Sequence, residues 1–217
     1  MMTHPPRSAL TTCRVPVPDW AGRKVRLREI DSADHRTLIG FDRASARERS
    51  AQVGGYRHWA AHRAGAAASG DSHFAIETLR GGMLVGSLCL SQDDTESDRF
   101  SYGIGIGAQH RRCGYASDAI MVLLSFMFFE RSFRRCQVSI YGGNVGSLSL
   151  HGALGFREEG RLRDTELSLG DIRYLVLMGI TAPEFAARHR DVMLAHADPS
   201  PRRGRHWRPR RGRHRHG

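Results

Sequence analysis

Residues 103–120 read GIGIGAQHRRCGYASDAI, and the order of residue types in this stretch sets the architecture. From Phe100 to Ile106 the chain is β-like but glycine-rich, as expected where another backbone or a ligand approaches a strand closely. A short loop follows, with Arg111, Arg112, Gly114 and Ala116. Ala116, Ala119, Ile120, Leu123, Leu124, Met127 and Phe128 then recur at helical spacing and make one apolar face over about three turns. The stretch is strand, loop, helix. A helix start carries amide N–H groups without intrahelical partners and a partial positive charge. Small residues there let a diphosphate come close, and arginines add charge-assisted bonds. Arg111, Arg112 and the N–H groups of Cys113, Gly114, Tyr115 and Ala116 are therefore the expected phosphate cradle. Taken alone, the loop also reads as an ordinary strand–turn–helix junction.

A second motif lies downstream, NVGSLSLHGALGF at residues 144–156, after a short strand pattern at Cys136–Tyr141. Asn144 is placed to cap a helix and Gly155 to end it in a left-handed conformation. The two motifs together, Arg-x-x-Gly-x-Ala at a strand–helix junction and Asn-x-x-Ser…Leu-Gly-Phe further on, resemble the GCN5-related N-acetyltransferases. The order and spacing are similar to the ribosomal-protein N-terminal acetyltransferase and phosphinothricin-type branches. The resemblance covers roughly Val25 to Phe185.

That resemblance implies an α/β fold with a mixed, mostly antiparallel central sheet flanked by helices, in which the fourth and fifth strands splay apart. It implies acetyl-CoA as co-substrate, with the pantetheine arm in the splay, no metal, and direct acetyl transfer to a primary amine of a small molecule or a protein N-terminus. The backbone of Ile104, Gly105 and Ile106, a segment prone to bulging, would meet the thioester oxygen and the pantetheine amides. Asn144 and Ser147 would join this cofactor-binding set. His151 stands where the family often carries a tyrosine that protonates the departing thiolate, and histidine occurs there in phosphinothricin-type relatives. An imidazole donates or accepts protons near neutral pH. Many relatives have a glutamate at the position of Ser101, so the general base stays open. Glu77, Glu96 and Asp98 are substitutes by sequence proximity, and a water chain to bulk is another route.

The remaining pattern fits one domain. Lys24–Ile30 alternates as a first strand, and Asp31–Asp34 offers helix-capping chemistry before helical stretches at Ala33–Ala46 and Ala51–Ala68. Ser72–Leu79 and Met83–Ser91 read as strands joined at Gly81-Gly82. Arg157–Leu167 and Ile172–Thr181 read as a closing antiparallel pair that turns at Leu169-Gly170-Asp171. Residues 1–22 read as a loose lead-in, 23–190 as the acetyltransferase domain, and 191–217 as a disordered tail of arginine, histidine, proline and glycine.

Eight of the arginines behind the net charge of +11 lie from Pro199 onward, so the body of the chain is close to charge balance. The tail reads either as a weak nucleic-acid contact or as a solvated extension. A non-catalytic acetyl-CoA-binding or ribosome-associated protein is the alternative functional reading. The four cysteines have no metal-ligand spacing and are expected as free thiols. Cys113, inside the cradle, is either a reactive thiol or a tolerated small residue. No apolar run reaches the roughly 18 residues of a membrane span, and residues 1–18 lack a signal-peptide core. The expectation is a cytoplasmic monomer or homodimer without membrane attachment.

Overall fold

The computed structural model describes residues 20–50, 72–92, 98–164 and 173–190. The expected helix at 51–68, most of the acidic loop at 93–98 including Glu96, the turn at 169–171 and the basic tail lie outside the described residues. Eight strands form one sheet: β1 (Trp20–Ala21), β2 (Val25–Glu29), β3 (Ser72–Thr78), β4 (Leu84–Ser91), β5 (Arg99–Ile106), β6 (Arg135–Tyr141), β7 (Arg157–Asp164) and β8 (Arg173–Thr181). Their order is β1-β2-β3-β4-β5-β6-β8-β7, with every neighbouring pair antiparallel except β5–β6. Four helices accompany it among the described residues: α1 (Asp34–Ser50), α2 (Tyr115–Ser125), α3 (Val145–Leu154) and α4 (Ala182–Arg188). The mixed α/β architecture expected from the sequence is the one observed.

Local chemistry explains most element ends. Gly81 and Gly82 both have positive φ, 85° and 60°, and close the β3–β4 hairpin tightly. Asn144 Oδ1 accepts from Ser147 N at 3.1 Å, and Gly155 at φ 103° ends α3, so both expected caps are in place. At α1, Asp31 Oδ1 accepts from Ala33 N, and the Asp34 carboxylate turns back onto Asp31 N. Thr181 and Glu184 form a reciprocal capping box at α4.

The α2 residues Ala119, Ile120, Leu123 and Leu124 are fully buried against the sheet. The helix then widens into a π turn, Phe126–Glu130, closed by Arg131 N donating to Phe126 O at 3.1 Å. The wider turn lets three consecutive residues, Phe126, Met127 and Phe128, all face the core.

Three features depart from the sequence reading. Trp20–Ala21 is not loose lead-in: it pairs with β2, and the Trp20 ring is buried against Phe74 and Phe126. The expected bulge in β5 is absent, because the β4–β5 ladder runs without a shift from Ser91↔Ser101 to Gly86↔Ile106. The irregularities fall instead in β3 at Ile76/Glu77 and in β7 at Glu158/Gly160. Glycines at 103 and 105 are accommodated by regular pairing.

Candidate active site

The parallel strands β5 and β6 pair at two positions, Arg99↔Arg135 and Phe100↔Cys136. Beyond them β5 continues from Ser101 to Ile106 and β6 from Gln137 to Tyr141 without further mutual pairing. A fork opens there. On its β5 side, alternate residues turn their N–H and C=O groups away from β4 and into the gap. Ile104, Gly105 and Ile106, all half-buried, line this edge. Unpaired strand-edge groups of this kind can receive an amide-bearing chain as a further strand.

At the open end of β5 a 3₁₀ turn, Ala108–His110, leads into the loop 111–114 and then α2. Arg112 and Gly114 both take left-handed conformations, φ 64° and 80°. Left-handed residues in a loop turn amide N–H groups toward one concave side, a common anion-binding device. Gly114 is the N-cap of α2, and its lack of a side chain leaves the first N–H groups of the helix without a side-chain acceptor. Arg111, Arg112, Cys113 and Gly114 are exposed, while Tyr115 and Ala116 are half-buried. Arg111 Nε donates to Ile106 O at 3.4 Å, which ties the cradle to the end of β5. These residues fit a diphosphate.

Two residues that periodicity does not reveal flank this loop. Lys24, the single lysine of the chain, donates its ammonium to the Cys113 carbonyl at 2.7 Å. Asp118, in the first turn of α2, would set a negative charge beside an anion site, but its carboxylate is engaged elsewhere. It accepts from Arg23 N, Lys24 N and Val25 N at 3.0, 2.7 and 2.9 Å. The loop between β1 and β2 is thereby fastened to the helix start. A solitary lysine and an acid in the first turn of a helix that follows two arginines are the signals that point to them.

His151 lies on α3, at the inner end of the fork, and is 2% exposed. Its Nδ1 is 2.8 Å from the Ser147 carbonyl oxygen, a group that can only accept, so Nδ1 carries the proton and donates. Ser147 Oγ lies 3.3 Å from the same nitrogen. In the neutral ring Nε2 is then an acceptor, and the hydroxyl of Tyr102 on β5 donates to it at 2.9 Å. Burial pushes the imidazole pKa below its usual value, with the Ser147 carbonyl pulling the other way. Burial also pushes the Tyr102 hydroxyl well above the ordinary range. Tyr102 lies two residues past the last β5–β6 pair, so this bond ties the β5 arm of the fork to the helix that follows β6. Phe156 closes the far side, edge-on to both rings.

Of the expected set, the structure gathers Arg111 to Ala116 at the mouth of the fork, 104–106 on one arm, and Asn144, Ser147 and His151 along α3, from its N-cap to its last turn. Asn144 Oδ1 is engaged by Ser147 N, which leaves its amide NH₂ as the group for a ligand. The substitutes for a base are less well placed. Glu77 is buried; burial alone would raise its pKa, but the Arg28 and Arg26 guanidiniums outweigh it and hold the carboxyl below its usual value. Asp98 is exposed and paired with Arg134. Ser101 is half-buried on β5.

The family model described as Acetyltransferase (GNAT) domain matches residues 24–157. The chain belongs to this family and is an N-acetyltransferase. It is 27% identical over 178 residues to the SPbeta prophage-derived N-acetyltransferase YokL of Bacillus subtilis, an alignment that covers 78% of this chain and 97% of YokL. In fold it is similar to a GNAT-family acetyltransferase from Bacillus anthracis, with a TM-score of 0.60, 18% identity, and coverage of 76% of this chain and 98% of that one. It is also similar to Mycobacterium smegmatis RimJ, solved in complex with CoA-disulfide, with a TM-score of 0.59, 21% identity, and coverage of 80% and 89%. Among the described residues no helix is long and apolar enough to cross a membrane.

Proposed function

We propose that the protein transfers acetyl directly from acetyl-CoA to a primary amine, with the donor lying in the β5–β6 fork. The observation that carries this reading is the fork itself: two paired positions, then an open strand edge that leads to an exposed, left-handed, arginine-bearing loop at a helix start. Arg111, Arg112 and the N–H groups of Cys113 to Ala116 hold the diphosphate. The backbone of 104–106 receives the pantetheine amides and orients the thioester. Asn144 and Ser147 border the same gap from α3. The bound thioester supplies the activated acetyl group. His151, through the Tyr102 hydroxyl that its Nε2 touches, supplies the proton for the departing sulfur.

The test is release of CoA thiol from acetyl-CoA by the full chain, with four classes of acceptor: peptide N-termini, aminoglycoside-type amines, amino acid analogues and polyamines. Amine-dependent thiol release with at least one class, accompanied by the acetylated product in mass spectra, is the expected result. Tight acetyl-CoA binding without turnover of any class would overturn the catalytic reading.

A further inference from the structure

Among the described residues, the Glu77 and Asp118 carboxylates are engaged and Asp98 is exposed, yet the reaction must take a proton from the amine as well as give one to sulfur. Among the described residues, the Tyr102–His151 pair, just past the last β5–β6 pairing, can do both. We propose that Tyr102 and His151 form a proton shuttle that accepts the amine proton and returns it to the leaving sulfur, so that Tyr102 is a catalytic residue and the pair serves as general base and general acid in turn. This rests on the donor placement proposed above.

The geometry sets the direction of each transfer. Nδ1–H is committed to the Ser147 carbonyl, so proton traffic on the ring runs through Nε2. The group in contact with Nε2 is the Tyr102 hydroxyl at 2.9 Å. As the amine nitrogen bonds to the acetyl carbon, its proton passes to Tyr102 Oη while the hydroxyl proton passes to His151 Nε2. The C–S bond then breaks and sulfur keeps the electron pair. The imidazolium returns its Nε2 proton to Tyr102 Oη, whose own proton goes to sulfur. One N–H and one C–S bond are lost, one C–N and one S–H are gained, and the pair ends as it began. Nitrogen and sulfur share the reacting carbon, so one hydroxyl serves both.

The surroundings fit this cycle. The ring packs on Phe156 and Tyr102, with the buried Cys136 thiol of β6 behind the tyrosine. Arg188 and His189 of the α4 end lie at the carbonyls of Ala153 and Leu154, at the C-terminal end of α3. Burial keeps the resting ring neutral and ready to accept, which is the state the first transfer needs.

The experiment is the pH dependence of kcat, from about pH 5 to about pH 9, for wild type, Tyr102→Phe and His151→Gln, with an accepted amine at saturation. In parallel, ¹⁵N NMR of the free protein reads the His151 tautomer. Expected are an unprotonated Nε2 that shifts on Tyr102→Phe, and a wild-type rate that rises with pH through a group below the ordinary histidine value of 6.5 and then levels. Both variants should lose turnover by about 10²-fold or more and lack that limb, with acetyl-CoA affinity unchanged. Full turnover in folded Tyr102→Phe with the limb intact would overturn the shuttle. So would a rate that falls as pH rises through this group, or a ring protonated at Nε2 in the free protein. A folded wild type that turns over no amine would instead overturn the donor reading, and the shuttle with it.

Discussion

The ammonium of Lys24 and the carbonyl of Cys113, 89 positions apart in sequence, meet at 2.7 Å beside the Gly114 turn, where a Cβ on Gly114 would lie. A carbonyl is the wrong dipole to present to a phosphate, and this contact both occupies it and adds a positive charge. Lys24→Met should therefore weaken acetyl-CoA binding about fivefold, the scale of an exposed charge contact. S-acetylpantetheine, which lacks the diphosphate, should be used equally well by both proteins. Titration calorimetry and steady-state kinetics with the two donors read this out. Equal losses with both donors would assign Lys24 to loop packing alone.

Gly114 holds φ at 80°, and any side chain there is strained by about 1 kcal/mol. Gly114→Glu adds a negative charge at the cradle as well. It should abolish measurable acetyl-CoA binding, while Gly114→Ala, whose Cβ would meet the Lys24 ammonium at 2.8 Å, should lower thermal stability slightly and cost no more affinity than Lys24→Met. Calorimetry and melting curves on the pair separate charge from strain. Undiminished affinity in the glutamate variant would remove the cradle from this loop.

His151 has a folded-state pKa below its unfolded value because its ring is buried. The unfolded chain therefore binds more protons in that window, and the stability tied to neutral His151 is complete above pH 6.5 and is lost as pH falls below it. Urea midpoints of wild type should drop between about pH 7.5 and about pH 5.5 by more than those of His151→Gln. Parallel curves would mean that the ring is not desolvated in solution.

Arg28 bonds to both Asp34 and Glu77, joining β2, β3 and the start of α1. The Arg28 hydrogen bond acts most strongly on Asp34; at Glu77 burial opposes, but the Arg28 and Arg26 guanidiniums prevail, and both carboxyls sit below their ordinary values. Stability linked to them is present above those ordinary values, 3.8 and 4.5, and is lost as pH falls through the lowered ones. Glu77→Ala should cost about 1–3 kcal/mol at neutral pH, since it removes the buried carboxylate that both Arg26 and Arg28 bond. Chemical denaturation measures it, and the variant should also show a shallower acid limb.

The sequence makes the local chemistry legible. The Gly114 helix start, the Asn144 and Gly155 caps and the Gly81-Gly82 turn are each encoded within a few residues, and each is observed. What escaped it is long-range or too short to have a period. Tyr102 and His151 are 49 positions apart, and nothing in their spacing shows that α3 returns to β5. Lys24 reaches the loop after β5 only once the β1–β2 turn lies beside α2, where Asp118 fastens it. A strand of two residues such as Trp20–Ala21 carries no alternation to detect. The missing β5 bulge was an inference from glycine content, whereas bulges form where register demands them, here in β3 and β7. The Thr181–Glu184 capping box is a readable signal for α4 that hydrophobic periodicity passes over.

Because β5 and β6 share only two paired positions, the eight strands behave as a five-strand leaf and a three-strand leaf sewn together along a short seam. Anything that lies in the gap and bonds to both edges lengthens that seam. The donor would then act as a backbone splint, and amide exchange should slow on Ser101–Ile106 and Gln137–Tyr141 together when it binds. Product departure would reopen both leaves at once, so the catalytic cycle is also a cycle of mending and parting one sheet.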